Sequence, residues 1–144
     1  MMTKIPVILV DDHNVVRSGL RRLLELGGDI DVVAEASSGE QACQLYTQFR
    51  NGVLVMDLSM PGMGGLEALR RILLRDPKAN IVIFTMHENI SFAMQALSAG
   101  AKCYVLKSGL ADDLILAVRK RMQEKPISAL IFHRKSLCSP FPVT

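Results

Sequence analysis

Short runs rich in Val, Ile and Leu begin near residues 5, 31, 53, 81 and 103, at intervals of 26, 22, 28 and 22 residues. Intervals of that length are too long for tight hairpins and suit parallel strands joined by helical crossovers. The stretches between them carry apolar residues at helical spacing: Val16, Leu20, Leu23 and Leu24; Ala42, Leu45 and Phe49; Leu66, Leu69 and Leu73; Phe92, Ala96 and Leu97. A fifth set, Leu110, Leu114, Val118 and Met122, follows the last run. Punctuation agrees. Ser38 with Gln41 reads as a capping box, Gly27 and Gly100 fall where helix C-caps belong, and Asp76-Pro77 stops the third helix. Val7 to Val10 and Ile81 to Phe84 are continuously apolar, as strands covered on both faces must be. The pattern predicts (βα)5, a three-layer doubly wound α/β fold, in which sites form beyond the carboxyl ends of the strands.

The chain has 144 residues, 49% hydrophobic and 22% charged, which excludes a disordered or collagen-like polymer and suits one domain with a sizeable core. Cys43, Cys103 and Cys138 are odd in number and widely spaced, so neither a disulfide framework nor a CxxC metal knuckle is expected, and a reducing cytoplasm is the expected location. The apolar run Ile5 to Val10 ends in two aspartates and does not read as a secretory signal; no run approaches the ~18 residues of a membrane helix. The net charge of +3 is unevenly spread. Residues 1–116 hold 11 cations against 13 carboxylates, whereas residues 117–144 hold 6 against 1. The body is therefore slightly acidic, and the basic excess that would hint at nucleic acid lies at the end of the chain.

Chemistry collects at the strand ends. The first strand runs into Asp11-Asp12, the third into Asp57, the fourth into Thr85, and the fifth leads to Lys107. One such aspartate is commonly a turn former or helix N-cap, and Asp12 or Asn14 could serve only to start the first helix. Three carboxylates, a hydroxyl and an ammonium at one sheet edge are another matter. Packed carboxylates repel unless they share a hard cation, and Mg2+ accepts a few carboxylates together with waters and phosphate oxygens. A lysine and a threonine suit phosphoryl oxygens. No GxxxxGK[ST] or GxGxxG loop is present, so a nucleotide cradle is not supported, and Gly62, Gly64 and Gly65 after Pro61 read as a turn. His13, His87 and His133 lack zinc-ligand spacing.

The runs Val10-Asp11-Asp12-His13, Val55-Met56-Asp57-Leu58-Ser59-Met60-Pro61-Gly62-Met63, Phe84-Thr85 and Tyr104-Val105-Leu106-Lys107 resemble the receiver domain of bacterial two-component response regulators, over about residues 4–122. Val15-Val16-Arg17-Ser18-Gly19-Leu20, Glu35-Ala36-Ser37-Ser38-Gly39 and Thr85-Met86-His87-Glu88 are similar to receivers of LuxR-type helix-turn-helix regulators. The resemblance implies a flavodoxin-like parallel sheet of order 2-1-3-4-5. It implies that Asp57 is the phosphoacceptor for a sensor histidine kinase, and that Asp11, Asp12, Asp57 and the backbone carbonyl of Ser59 hold Mg2+. Lys107 and Thr85 would contact phosphoryl oxygens, Thr85 and Tyr104 would form the switch, and Ser59 and His87 would tune dephosphorylation. Helices four and five, near residues 90–99 and 110–122, would be an output or homodimer surface.

Three departures stand out: Ser108 follows Lys107 where receivers commonly have proline, Cys103 precedes the aromatic, and Asn51-Gly52 precedes the third strand. Residues 1–122 are thus expected to form the receiver. Residues 123–144 continue no pattern and are left unassigned; 22 residues are too few for a helix-turn-helix domain, so DNA would be reached only through an output domain absent from this chain. A rival reading is a Mg-dependent phosphohydrolase with an aspartyl-phosphate intermediate. Such hydrolases usually carry a second aspartate two residues after the nucleophile, where this chain has Ser59. A pseudo-receiver would lack acidic or lysine positions that are all present here.

Overall fold

The computed structural model describes residues 4–58, 60, 62–85, 90–106, 114–119, 131–133 and 136–138. Strands β1 (Ile5–Val10), β2 (Ile30–Ala36), β3 (Val53–Met56), β4 (Asn80–Thr85) and β5 (Cys103–Leu106) alternate with helices α1 (Asn14–Glu25), α2 (Gly39–Gln48), α3 (Gly64–Arg75) and α4 (Ile90–Ala99). Residues 114–119 are also helical. The five strands are parallel in the order β2-β1-β3-β4-β5, as expected.

Successive side chains of a strand point to opposite faces, and both faces here are buried. Ile8, Val10, Leu54, Met56, Ile81, Ile83 and Tyr104 join Ala42 and Tyr46 of α2, Leu69 and Ile72 of α3, and Ala93 and Ala96 of α4 in one core. Val7, Leu9, Val53, Val55, Val82, Phe84, Cys103 and Val105 join Leu20 and Leu24 of α1 and Leu114 and Val118 in the other. Burying each large aliphatic contributes about 1.5–3 kcal/mol, so this two-sided burial is what makes the continuous apolar strands worth forming.

Helix boundaries follow local chemistry. The Ser38 side chain accepts from the Gln41 backbone N–H at 3.2 Å, and Gln41 Oε1 accepts from the Ser37 N–H at 2.8 Å, which completes the expected box one residue upstream. The N-cap of α1 is His13, without a side-chain cap bond, and not Asp12 or Asn14. The glycine with positive φ after α1 is Gly28 (φ 80°), not Gly27; its N–H donates to Glu25 O at 3.1 Å. Gly100 has φ 120° just after α4, where a C-cap glycine was expected.

Part of the tail that the sequence leaves unassigned joins the sheet. Strands β6 (Ile131–His133) and β7 (Ser136–Cys138) extend the sheet, β7 pairing antiparallel with β5 and β6 with β7. Cys103 is disulfide-bonded, although the odd, widely spaced cysteines announce no disulfide framework, while Cys43 is free. The antiparallel ladder places Cys138 opposite Cys103, a pairing that wide sequence spacing does not announce. Among the described residues, no helix is long and apolar enough to cross a membrane.

Two ion-pair sets tie the helices to the strands. Arg119 forks onto Asp29 at 2.6 and 3.1 Å, and Arg17 and Arg21 both bind Glu35. Hydrogen bonding to Arg119 holds the Asp29 carboxyl below its usual range. Burial pushes Glu35 up, but the guanidinium groups of Arg17 and Arg21 outweigh it and hold that carboxyl below its ordinary value of 4.5. A carboxylate whose folded value is depressed contributes stability that is complete above its unfolded value and is lost as pH falls through the folded one. Stability is therefore expected to decline on acidification below about pH 4.5, and Glu35→Gln is expected to shallow that decline in denaturant titrations at stepped pH. An acid limb of equal slope in both proteins would contradict the assignment.

Candidate functional site

The register of the central strands builds the site. Val10 pairs with Met56, so the residues that follow them, Asp11 and Asp57, leave the sheet side by side. Backbone bonds fix both: Asp57 N–H donates to Val10 O at 3.1 Å and Asp11 N–H to Ala36 O at 3.0 Å. Asp11 is 1% exposed and Asp57 4% exposed, while the Asp12 side chain retains partial access to solvent. Carboxylate oxygens of Asp11, Asp12 and Asp57 and a ring nitrogen of His13 lie within 4.8 Å of one another.

Two unit charges at that separation repel by on the order of 3 kcal/mol at an effective dielectric near 20, so three carboxylates here constitute a site that calls for a cation. One atom states the need directly. Asp12 Oδ1 is sealed from solvent yet makes no hydrogen bond, although His13 Nδ1 lies 3.1 Å away in an unaligned approach. Asp11 Oδ1 accepts from the His13 backbone N–H at 2.9 Å. An all-oxygen carboxylate set with an unsatisfied buried oxygen fits Mg2+, a hard cation that favours oxygen donors.

Two bonds tie down described residues after β3. Gly65 N–H donates to Leu58 O at 3.1 Å, and Glu40 Oε1 accepts from the Met63 N–H at 3.1 Å. Gly62 and Gly64 have φ of 78° and 77°, left-handed values that favour glycine; Gly62 lies in the expected turn, whereas Gly64 and Gly65 open α3. Tyr104 is buried on β5; burial first, and the negative charge of Asp57 second, push its phenol up to about 12. It therefore stays neutral across the physiological range.

Of the residues singled out in the sequence, Asp11, Asp12 and Asp57 are brought together, Thr85 ends β4, and Tyr104 lies one strand further on β5. Lys107, Ser59 and His87 lie outside the described residues. His13, directly after Asp12, stands against two of the carboxylates. Two open clefts, of about 390 Å3 between α2 and α3 and about 450 Å3 between α1 and residues 115–119, do not reach the acidic cluster.

The chain belongs to the response regulator receiver domain family, whose model matches residues 7–119. It is thus a signalling domain of two-component systems. Within that family its relatives include LuxR-family response regulators. The response regulator UvrY of Escherichia coli K12 is 41% identical over 115 residues, covering 80% of this chain and 53% of the relative. A LuxR-family two-component response regulator from Aurantimonas sp. superposes with a TM-score of 0.80 at 43% identity, covering 84% of this chain and 86% of that one. The isolated receiver domain of RcsB from Salmonella enterica serovar Typhimurium, solved with the phosphomimetic BeF3-, gives 0.77 at 29% identity, covering 85% and 91%. The chain spans about half the length of the curated relatives it matches.

Proposed function

We propose that Asp57 is the phosphoacceptor of this receiver and that Asp11, Asp12 and Asp57, with the backbone carbonyl of Ser59, form its magnesium site. The observation that carries the reading is the convergence of three carboxylates, two of them buried, at the ends of adjacent strands. An Asp57 carboxylate oxygen attacks the phosphorus of a kinase phosphohistidine; the new O–P bond forms as the N–P bond breaks, and the imidazole keeps that electron pair. Bound magnesium supplies charge neutralisation to the transferring phosphoryl group. Lys107 and Thr85 hold phosphoryl oxygens, so that catalysis consists of positioning and electrostatics. Ser59 and His87 set the lifetime of the acyl phosphate.

Thr85 and Tyr104 form the route from the phosphoryl group to the helices. They sit on neighbouring strands, where Thr85 pairs with Leu106, two residues beyond Tyr104. The response is a shift between conformations that a partner reads on helices four and five. In a longer parent that partner is a DNA-binding output domain or a second copy, with transcription as the output and the cytoplasm as the location.

Binding linkage supplies the test. Mg2+ present at about 100 times its dissociation constant stabilises the folded state by about 2.7 kcal/mol, so the melting temperature is expected to rise by several degrees. Asp12→Asn is expected to lose most of that rise. Equal shifts in the two proteins across a magnesium titration would contradict the site.

A further inference from the structure

Arg17 lies outside the acidic cluster and yet is bonded to its frame. Its side chain is 16% exposed and makes three bonds to three segments: Nη1 donates to the backbone carbonyl of Asp11 at 2.6 Å, Nε to Glu35 Oε1 at 2.8 Å, and Nη2 to Asn14 Oδ1 at 2.7 Å. It thereby joins the end of β1, the first turn of α1 and the end of β2. The carbonyl it grips belongs to the peptide linking Asp11 to Asp12, the two carboxylates that must face Asp57. Glu35 is held in turn by Arg21 Nη1 at 2.5 Å, so the anchor on β2 is itself braced.

We infer that Arg17 is a positioning residue for the cation site: its planar fork locks the Asp11–Asp12 peptide and so fixes the directions in which the two carboxylates leave it. The inference rests on the reading of the cluster as a magnesium site. A guanidinium suits the task because its donors diverge in one rigid plane and reach several oxygens at once, which a lysine ammonium on a flexible stem does not reproduce. Outer partners of ligating carboxylates orient them, and losing one typically weakens metal affinity by about 10- to 100-fold. Nothing in the local sequence shows this. The spacing between Arg17 and Glu35 has no helical or strand periodicity, and only the packing of α1 over β2 brings them together.

The test measures Mg2+ binding to the full chain by isothermal titration calorimetry, beside thermal melts, for wild type, Arg17→Ala, Arg17→Lys and Arg21→Ala. Arg21→Ala removes a Glu35 partner from the same network but touches no part of Asp11, so it controls for a role that is only structural. Arg17→Ala is expected to weaken Mg2+ binding by about tenfold or more. Arg17→Lys is expected to recover part of the affinity and Arg21→Ala to stay within about twofold of wild type, and phosphoryl uptake by Arg17→Ala is expected to return toward wild type at saturating Mg2+. Wild-type affinity in Arg17→Ala, or equal weakening in Arg21→Ala, overturns the inference. If Arg17→Ala does not fold, Arg17→Lys decides: weaker binding at a melting temperature matching Arg21→Ala supports the role, and unchanged binding overturns it. Failure of the wild-type chain to bind Mg2+ has a different signature, and it overturns the magnesium-site reading together with this inference.

Discussion

Asp57→Asn is expected to abolish phosphoryl uptake from acetyl phosphate under conditions that label the wild-type chain, because the amide keeps the shape of the carboxylate and lacks the nucleophilic oxygen. The same change removes one of three like charges gathered within 4.8 Å. Each charged pair there repels by on the order of 3 kcal/mol at an effective dielectric near 20, so the metal-free variant is expected to melt at or above the wild-type temperature. Lost uptake together with retained or raised stability separates a chemical role from a structural one. Magnesium-dependent label persisting on Asp57→Asn would remove Asp57 as acceptor.

Gly65→Ala is expected to be the most damaging single methyl that can be added near the site. A Cβ at Gly65 would overlap the Asp57 carbonyl oxygen and stand 2.7 Å from Leu58 Cα and 2.9 Å from the Asp57 carbonyl carbon. All three obstacles are backbone, so no side chain can turn aside; the start of α3 must retreat from the end of β3. Overpacking of this kind costs about 1–3 kcal/mol and sometimes more. Since about 1 kcal/mol corresponds to ~2–4 °C in a chain of this size, the melting temperature is expected to fall by about 5 °C or more, with slower phosphorylation as the acceptor strand shifts. Gly19→Ala is the matched control, for a Cβ there meets nothing within 4 Å and the position is inside α1. It is expected to be neutral or slightly stabilising, since alanine favours a helix interior by about 1 kcal/mol over glycine. Equal melting temperatures for Gly65→Ala and wild type would show that α3 does not rest on Asp57.

The alternation of five strands with helices is legible in the sequence because each strand is a buried apolar run and each helix carries an apolar stripe, two periods that do not imitate each other. The carboxylates are legible for a topological reason: parallel strands deliver their carboxyl ends to one edge, so Asp11, Asp12 and Asp57 meet whatever the crossovers between them contain. What remains hidden depends on packing between distant segments. Gly27 and Gly28 are equally plausible helix stops until the chain path selects Gly28. Strands β6 and β7 are three residues each, too short for any periodicity, and exist by pairing on the edge of β5. Arg17 reads in the sequence as one more cation on an amphipathic helix, and its bond to the Asp11 carbonyl appears only once α1 lies against β1 and β2.

The most direct test of the central claim is to incubate the wild-type chain with acetyl phosphate, with Mg2+ or with a chelator, and to locate any added phosphoryl group by intact mass followed by peptide mapping. One phosphoryl group on Asp57, formed with Mg2+ and absent with the chelator, is the predicted result. A chain that gains no phosphoryl group in Mg2+, or gains one at another residue, contradicts the account.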